Sequence, residues 1–369
     1  MIPAIPDALP PLPKRSVGMW LRGDWHMHCR HSTDSTNNPQ SRIIGFAERL
    51  GFDYLVITDH DVHVHGAVAQ HTWADPEYRS DKLLLFYGAE LTAPRGHVNI
   101  LSPEPYNHQR IFDARNARDW HLLELKQELG VHWSANHPNH KNHYGFSWDL
   151  ADSVEIWNTS IWPKNMISVR MWDDQLLSGR MIGARGGSDA HHGIPDDPAL
   201  IVPQTIEGSA NYVGTPTTWI FANDRTKPAI LAALKAGRAS VSSNPYNPRV
   251  EFYADIAGNG QFDMMMGDNA RPTGAPVTFE VRLVGGGIAG AAYQVRVIKN
   301  RGELATMVTD AASRSVRFTD TPLPGERSYY RVEVEGPQAP YPEVPNSMAQ
   351  SLNMVALSNP IYFNYDPNF

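Results

Sequence analysis

The stretch Gly23-Asp24-Trp25-His26-Met27-His28-Cys29-Arg30-His31-Ser32-Thr33-Asp34 decides how the rest of the sequence is interpreted. His26 and His28 are separated by one residue, so on an extended strand both side chains point to the same face. Two imidazoles on one face can reach a single metal ion, and Asp34, in the polar segment that follows, can reach an adjacent ion. The stretch therefore predicts a strand that ends in metal ligands, provided that other strand ends supply the remaining ligands.

Predicted strands and helices alternate downstream of this stretch. Short apolar, β-branched segments predict strands at 52–58, 83–91, 97–101, 131–135, 153–158 and 181–187. Apolar residues at helical spacing predict helices at 41–50, 120–129, 166–177 and 228–237. Fully apolar strands that alternate with helices favour an α/β fold with a parallel sheet, as in an α/β barrel. In such barrels the reactive groups collect at the carboxyl ends of the strands.

The pattern changes near residue 245. Segments 250–255, 277–284, 293–298, 315–319 and 329–334 alternate with period two between Gly, Pro and Asn turns. This alternation is typical of an antiparallel β-sandwich. We therefore expect two domains, a barrel over residues 1–245 and a small antiparallel β-sandwich over residues 246–369.

The composition excludes several classes of function. The 369-residue chain is 41% hydrophobic and 19% charged, with a net charge of −7 and a single cysteine, Cys29. These values describe a soluble globular protein, exclude an intrachain disulfide and argue against non-specific binding to nucleic acid. The sequence has neither a long apolar run nor a signal-peptide pattern. We expect a cytoplasmic protein, or a periplasmic one if a signal peptide was removed, that acts on a small-molecule ester and binds neither nucleic acid nor a membrane. The sequence leaves the oligomeric state open.

The candidate metal ligands lie in the first part of the chain, where all sixteen histidines fall between His26 and His192. Nine residues at or just after predicted strand ends are candidates: His26, His28, Asp34, His60, Glu90, His97, His137, Asp189 and His191. Imidazole nitrogens and carboxylate oxygens suit Mn, Fe or Zn. Nine ligands suit two or three divalent ions that share a bridging carboxylate, for which Glu90 is the natural candidate. Two alternatives stay open: Asp59 could orient His60, and His97 could be a structural histidine.

Six segments carry a resemblance to a known superfamily: GDWHMH…STD (23–34), VITDHD (56–61), GAEL…GHVNIL (88–101), ANHP (135–138), EIWN (155–158) and GGSDAHH (186–192). In this order they resemble the motifs of the polymerase-and-histidinol-phosphatase (PHP) superfamily, and residues 218–268 more weakly resemble its carbaryl-hydrolase-like branch. The resemblance implies a distorted (β/α)7 barrel with a binuclear or trinuclear metal centre. It implies three ligand groups: His26, His28, Glu90 and Asp189; Glu90, His97 and His137; and Asp34, His60 and His191. Ser35 stands where the opening motif usually has glycine.

The ligand set predicts hydrolysis. Paired divalent ions lower the pKa of a bridging water and hold the attacking and leaving oxygens, so a metal-bridging hydroxide would be the nucleophile. Three ions against three carboxylates leave a positive pocket, which favours a phosphoesterase, with a phosphodiesterase preferred, acting on small organic phosphoesters. A carbamate or carboxylic ester hydrolase of the carbaryl-hydrolase type is the alternative. A third hypothesis is a metal-binding module without activity.

Further candidates lie in the loops that follow the ligands. His63 and His140 are the predicted catalytic proton donors, because each follows a ligand closely in the sequence. The predicted anion anchors are Arg95, Lys141, Lys164 and Arg185. Aromatic residues that could line an organic substrate are Trp73, Tyr78, Tyr144, Trp148 and Trp162.

Overall fold

The structure is a computed structural model that describes residues 18–35, 38–139, 143–193, 212–309, 311–342 and 353–367. Strands and helices alternate over the first half: β1 (Met19–Asp24), α1 (Gln40–Arg49), β2 (Tyr54–Ile57), β3 (Leu84–Ala93), β4 (Gly96–Ser102), α2 (His108–Ala114), α3 (Asp119–Leu129), β5 (His132–Ala135), β6 (Ser153–Asn158), α4 (Trp162–Ser178) and β7 (Gly183–Gly187). Short 3-10 helices cover Asp61–Val64 and Trp148–Leu150, and a π-helical turn covers Ala69–Trp73.

Strands dominate the rest of the described chain. They are β8 (Thr217–Ala222), β9 (Ala239–Ser242), β10 (Arg249–Asp255), β11 (Met264–Met265), β12 (Asn269–Ala270), β13 (Val277–Val284), β14 (Gln294–Lys299), β15 (Gly302–Val308), β16 (Ser315–Asp320), β17 (Ser328–Glu335), β18 (Met354–Ser358) and β19 (Ile361–Phe363). One helix, α5 (Lys227–Lys235), lies between β8 and β9, and the Thr226 hydroxyl caps it by accepting a hydrogen bond from the Ala229 amide.

The first-half strands lie side by side in one sheet in the order β1-β2-β3-β4-β5-β6-β7. The pairs β1–β2, β2–β3, β5–β6 and β6–β7 are parallel, whereas β4 runs antiparallel to both β3 and β5. Carboxyl ends of parallel strands meet at one edge of a sheet, so the segments after β1, β2, β5, β6 and β7 converge there. The predicted mixed α/β architecture is confirmed.

A short parallel bridge joins the segment after β7 to the segment after β1. The Asp189 amide donates to the His26 carbonyl over 2.8 Å, and the His28 amide donates to the Ala190 carbonyl over 2.8 Å. Met27 and Ala190 are the partners of this bridge. Closure of a complete barrel stays a prediction, but the bridge places the ends of the first and seventh strands next to each other.

The C-terminal strands continue the same sheet. β8 pairs antiparallel with β1, and the order then runs β8-β9-β18-β17-β19-β12. A second sheet has the order β11-β10-β13-β16, and side chains of both sheets, such as Phe252, Phe279, Val332 and Val355, share one apolar core. The division at residue 245 and a separate sandwich domain stay predictions.

A buried ion pair ties α4 to β17. The Arg331 guanidinium donates to Asp173 from Nε over 2.9 Å and from a terminal nitrogen over 2.8 Å, and the Tyr329 hydroxyl donates to the same carboxylate over 2.7 Å. Both charged side chains are 4% exposed.

In the described ranges, no helix combines the length and the hydropathy that crossing a membrane requires.

Candidate metal centre

The structure brings the nine predicted ligands into one cluster, at the edge of the sheet where the parallel strands have their carboxyl ends and β4 has its amino end. His26 and His28 follow β1, His60 follows β2, and Glu90 and His97 lie on β3 and β4. The remaining ligands come from the segments after β1, β5 and β7: Asp34, His137, Asp189 and His191. The assignment of each residue to an ion stays a prediction, while the proximity of their side chains can be described directly.

Four of these side chains form the tightest group. Nε2 of His26 lies 3.3 Å from Oε2 of Glu90 and 3.2 Å from Oδ1 of Asp189, and Nε2 of His28 lies 3.3 Å and 3.0 Å from the same two oxygens. The two Nε2 atoms are 3.3 Å apart. Nitrogen and oxygen ligands bound at about 2.1 Å to one ion lie about 3.0–3.4 Å from each other. The donor atoms are therefore spaced as ligands of a single cation.

Glu90 provides the test of whether the residues fit a metal. Its side chain is 1% exposed, and Oε2 has no hydrogen-bond partner although it faces His26, His28 and Nδ1 of His60. A buried carboxylate oxygen without a hydrogen bond is costly unless a cation compensates it. The chemistry and spacing of the donor set thus fit a divalent ion at Oε2 of Glu90.

The other oxygen of Glu90 faces two further predicted ligands. Oε1 lies 3.1 Å from Nδ1 of His97 and 3.4 Å from Nε2 of His137. It also accepts a hydrogen bond from the Asn136 side chain over 3.0 Å. Glu90 therefore presents one oxygen to each of two histidine groups, which is the arrangement that a bridging carboxylate requires. His137 also lies within ligand distance of His26 and Glu155, and His97 within ligand distance of His60 and Glu90.

Asp34 joins the third predicted group. Its Oδ2 lies 3.4 Å from Nε2 of His60 and 3.4 Å from Nε2 of His191. His28, His60 and His191 also lie within ligand distance of one another. Asp34 is 46% exposed, so this end of the cluster opens to solvent while the Glu90 end is buried.

Two of the predicted ligands have unusual backbone conformations. His137 has a φ of 28° and Asp189 a φ of 52°, in the left-handed region that non-glycine residues rarely adopt. Asp24 supports the second of these turns because its carboxylate accepts hydrogen bonds from the amides of Ser188 over 3.0 Å and Gly214 over 2.8 Å. Strained residues of this kind concentrate at functional sites.

Glu155 and Arg185 complete the centre, and sequence reasoning assigned neither to this role. Nδ1 of His26 lies 3.0 Å from Oε1 of Glu155, and a terminal nitrogen of Arg185 donates to the same oxygen over 3.0 Å. All three side chains are buried, so the carboxylate fixes the orientation of the His26 ring. Gly187 permits this packing, since a Cβ there would lie 2.3 Å from Oε1 of Glu155.

Protons and carboxylates compensate each other in the cluster. Burial raises the pKa of Glu90, but His60 and His26 outweigh that effect and hold the pKa well below its usual range. Burial lowers the pKa of His60, and the carboxylates of Glu90 and Asp34 outweigh it and raise the pKa to about 10. Positive charge is thus stabilised inside the cluster. A divalent ion would supply that charge in place of protons.

Of the two predicted proton donors, His63 lies beside the cluster and His140 lies outside the described residues. Nδ1 of His63 accepts a hydrogen bond from the Thr33 amide over 3.2 Å and lies 3.6 Å from Oδ1 of Asp34. The neutral ring therefore carries its proton on Nε2. Burial and the neighbouring His60 lower the pKa of His63. Its catalytic role stays a prediction.

The predicted anion anchors differ in whether their charge is available to a substrate. Arg185 is fully buried and donates to Ser134, Asn136 and Glu155. Arg95 donates to the Asp119 carboxylate and to the carbonyls of Ala117 and Gly145. Neither arginine is available to a substrate, and Lys141 lies outside the described residues. Lys164 is exposed, with Nζ 3.5 Å from Oδ1 of Asn158.

Other polar and aromatic candidates have packing roles. Asp59 does not orient His60: its carboxylate accepts hydrogen bonds from the Cys29 amide over 2.7 Å, the Cys29 thiol over 2.9 Å and the Thr72 hydroxyl over 2.6 Å. The five aromatic residues pack within the fold. Trp73 and Tyr78 donate to β3 carbonyls, Tyr144 accepts from Trp133, Trp148 contacts Tyr144, and Trp162 contacts Trp157.

No protein-family profile and no curated protein matches this chain. The chain is similar to a solved structure from Bacteroides vulgatus, a two-domain protein that contains a predicted PHP-like metal-dependent phosphoesterase. The similarity covers 93% of this chain and 96% of that one, at 15% sequence identity and a TM-score of 0.45. A similarity this distant carries no argument about activity, which rests on the residues themselves.

Proposed function

We propose that this chain is a metal-dependent hydrolase of the PHP type that cleaves phosphoesters, with small organic phosphodiesters preferred. One observation carries the proposal: the Nε2 atoms of His26 and His28 each lie 3.0–3.3 Å from both Oε2 of Glu90 and Oδ1 of Asp189. Four donor atoms at this spacing, three of them on buried side chains and one a carboxylate oxygen without a hydrogen bond, are the features of a cation site.

Divalent ions bound by the cluster would supply a Lewis acid and a water of lowered pKa at neutral pH. The residues of the chain have separate parts in the reaction. Glu155 and Arg185 fix the ring of His26, and Glu90 divides its two oxygens between histidine groups. The protonated ring of His63 is the candidate proton donor to the leaving oxygen. A serine or cysteine nucleophile is not required.

Charge favours an anionic substrate over a neutral one. Three divalent ions against the carboxylates of Asp34, Glu90 and Asp189 leave the cluster positive, and Asp34 opens it to solvent. Of the four predicted anion anchors, Arg95 and Arg185 are occupied by the fold. Among the anchors that the structure describes, Lys164 alone stays available, and one ammonium group suits the one negative charge of a phosphodiester better than the two charges of a monoester.

Hydrolysis of three ester classes tests the proposal. The chain is stripped with a chelator, reloaded with Mn²⁺ and assayed on bis(p-nitrophenyl) phosphate, p-nitrophenyl phosphate and 1-naphthyl methylcarbamate, with Glu90→Ala assayed in parallel. We expect diester turnover that Mn²⁺ restores and the substitution abolishes.

The alternative function is a carbamate or carboxylic ester hydrolase, suggested by the carbaryl-hydrolase-like sequence of residues 218–268. Turnover of the carbamate alone would favour it. Absence of turnover on all three substrates, with stoichiometric metal still bound, would favour a metal-binding module without activity.

A further inference from the structure

Lys164 differs from the other basic residues near the candidate metal centre because the fold does not compensate its charge. It is exposed in the first turn of α4, directly after β6. The nearest polar partner given by the structure is Oδ1 of Asn158, 3.5 Å from Nζ. Among the described residues, no carboxylate lies within ion-pair distance of this ammonium group. Its charge is therefore available to a ligand.

Asn158 connects Lys164 to the ligand cluster. The side-chain nitrogen Nδ2 of Asn158 donates to Oδ2 of Asp189 over 3.1 Å and lies 3.3 Å from Oε2 of Glu155. With its NH2 group directed to two carboxylates, the amide turns its oxygen towards the ammonium group. Lys164 is thus separated from the predicted ligand Asp189 by one side-chain amide.

The first turn of α4 is fixed relative to the end of β6. Oδ1 of Asn165 accepts a hydrogen bond from the backbone amide of Asn158 over 2.8 Å. Nδ2 of Asn165 donates to the backbone carbonyls of Asn158 and Ile161, each over 2.8 Å. Asn165 is 1% exposed. These bonds hold the backbone of Lys164 next to the cluster, so its side chain has little distance to span to a ligand bound there.

The position of Lys164 is electrostatically unfavourable for the chain alone. A cation in the first turn of a helix is opposed by the helix dipole. The first turn of α4 carries no acidic residue that would offset this effect. An anion bound between the ammonium group and the cluster would be attracted by both. The buried Oε2 of Glu90, which lacks a hydrogen bond, independently marks the cluster as the place where cations gather.

We propose that Lys164 binds a non-bridging oxygen of the substrate phosphate and thereby selects singly charged phosphodiesters over neutral esters. This inference rests on the proposed function, since the rest of the phosphate would be held at the metal centre. Lys164 acts as a specificity-determining residue: it lowers the KM of anionic substrates and leaves the chemical step to the ligand cluster.

The test uses the full chain loaded with Mn²⁺ and the variants Lys164→Gln, Lys164→Arg and Lys82→Gln. Lys82 is an appropriate control because it is an exposed lysine next to the amino end of β3, away from the cluster. Steady-state kinetics with bis(p-nitrophenyl) phosphate and with neutral p-nitrophenyl acetate measure selectivity. Calorimetric titration with inorganic phosphate measures anion binding without turnover.

We expect Lys164→Gln to raise the KM for the diester and weaken phosphate binding by roughly 10-fold to 100-fold, with kcat within about twofold. Lys164→Arg should recover most of the loss. Lys82→Gln should have the diester KM and the phosphate affinity of the wild type, and the kinetics with the acetate should be the same in all variants. Unchanged diester KM and phosphate affinity in Lys164→Gln would overturn the inference. If the wild-type chain hydrolyses no ester, the proposed function fails, and the phosphate titration alone decides: weaker binding in Lys164→Gln supports the anion site, whereas equal or absent binding overturns it.

Discussion

Glu90 is the residue on which the proposed metal centre depends. Its Oε2 faces the rings of His26, His28 and His60, and its Oε1 faces His97 and His137. Glu155 also contacts a residue of each group, but at His137 it accepts a hydrogen bond from the backbone amide. Replacing one of the two Glu90 oxygens should therefore remove a ligand from one group and leave the other oxygen in place.

Glu90→Gln keeps the size of the side chain but replaces one ligand oxygen by an amide nitrogen that has no free lone pair. We expect the reloaded protein to lose about one ion per chain and its hydrolytic rate to fall by roughly 100-fold or more. Metal analysis and the diester assay measure the two effects. Glu104→Gln, at an exposed glutamate, is the control. Normal metal content and rate in Glu90→Gln would show that Glu90 is not a ligand.

Glu155→Gln tests orientation rather than ligation. The amide weakens the contact with Nδ1 of His26, while His26 and its neighbours stay in place. We expect Mn²⁺ affinity to fall about 10-fold to 100-fold, the usual effect of removing a partner that orients a ligand. Competition with a fluorescent chelator measures the affinity. Glu128→Gln, in an exposed pair with Arg110, is the control, and equal affinities in both variants would contradict the assignment.

The contact between α4 and β17 gives the sharpest prediction at the scale of elements. Asp173→Asn removes the two-oxygen contact of Arg331, which is 4% exposed and keeps Glu333 as a charged partner. Breaking a buried ion pair from one side costs about 3–5 kcal/mol, so we expect a loss of that order in the free energy of unfolding. Denaturant unfolding measures it.

Asp174→Asn provides a matched control for Asp173→Asn. Asp174 is the next residue of α4, half exposed, and it pairs with the exposed Arg301. An exposed pair contributes about 0–1 kcal/mol, so this variant should be close to the wild type. Similar destabilisation by both substitutions would mean that burial of the Asp173 pair does not determine its contribution.

Element types followed from the sequence where the signal is local. The predicted bounds of β6 and β13 agree with the structure, because apolar period and turn residues define both ends. Helix α4 begins at Trp162 instead of the predicted 166, since proline is tolerated in the first helical turn. The antiparallel β4 and the joining of β9 to β18 were not predicted, because strand pairing depends on partners distant in the sequence.

The candidate site was predictable to the extent that its residues follow strand ends. Glu155 was not predicted, and Arg185 was predicted as an anion anchor instead of a partner of Glu155, because both lie inside strands whose buried contacts the sequence does not specify. A signal was present in the sequence: a glutamate and an arginine on neighbouring parallel strands, in paired register, must neutralise each other if both are buried. The role of Lys164 depends on the orientation of the Asn158 amide, which no spacing in the sequence specifies.

At the scale of the whole molecule, stability should depend on pH through His132. This residue begins β5, far from the cluster, and its Nε2 lies 2.8 Å from the Ser153 hydroxyl. Burial lowers the pKa of His132 from 6.5 to about 4. The unfolded chain therefore takes up a proton below pH 6.5 that the folded chain does not accept until about pH 4, so this contribution to stability is full above pH 6.5 and is lost as the pH falls towards 4.

His132→Gln should remove this part of the pH dependence. Denaturant unfolding of chelator-treated protein at pH 7 and pH 5 measures it, and we expect the variant to lose less stability between the two values than the wild type, by about 1.4 kcal/mol per pH unit at most. His121→Gln, at an exposed helix position, should behave as the wild type. The same loss in His132→Gln as in the wild type would contradict this account.

The metal content of the reloaded protein tests the central claim most directly. The chain is stripped with a chelator, dialysed against Mn²⁺, freed of excess ion and analysed by inductively coupled plasma mass spectrometry. The nine clustered ligands, with Glu90 shared between ions, predict roughly two or three ions per chain. We expect fewer ions per chain in Glu90→Gln. Less than one ion per folded chain, or a content that the substitution leaves unchanged, would contradict the account.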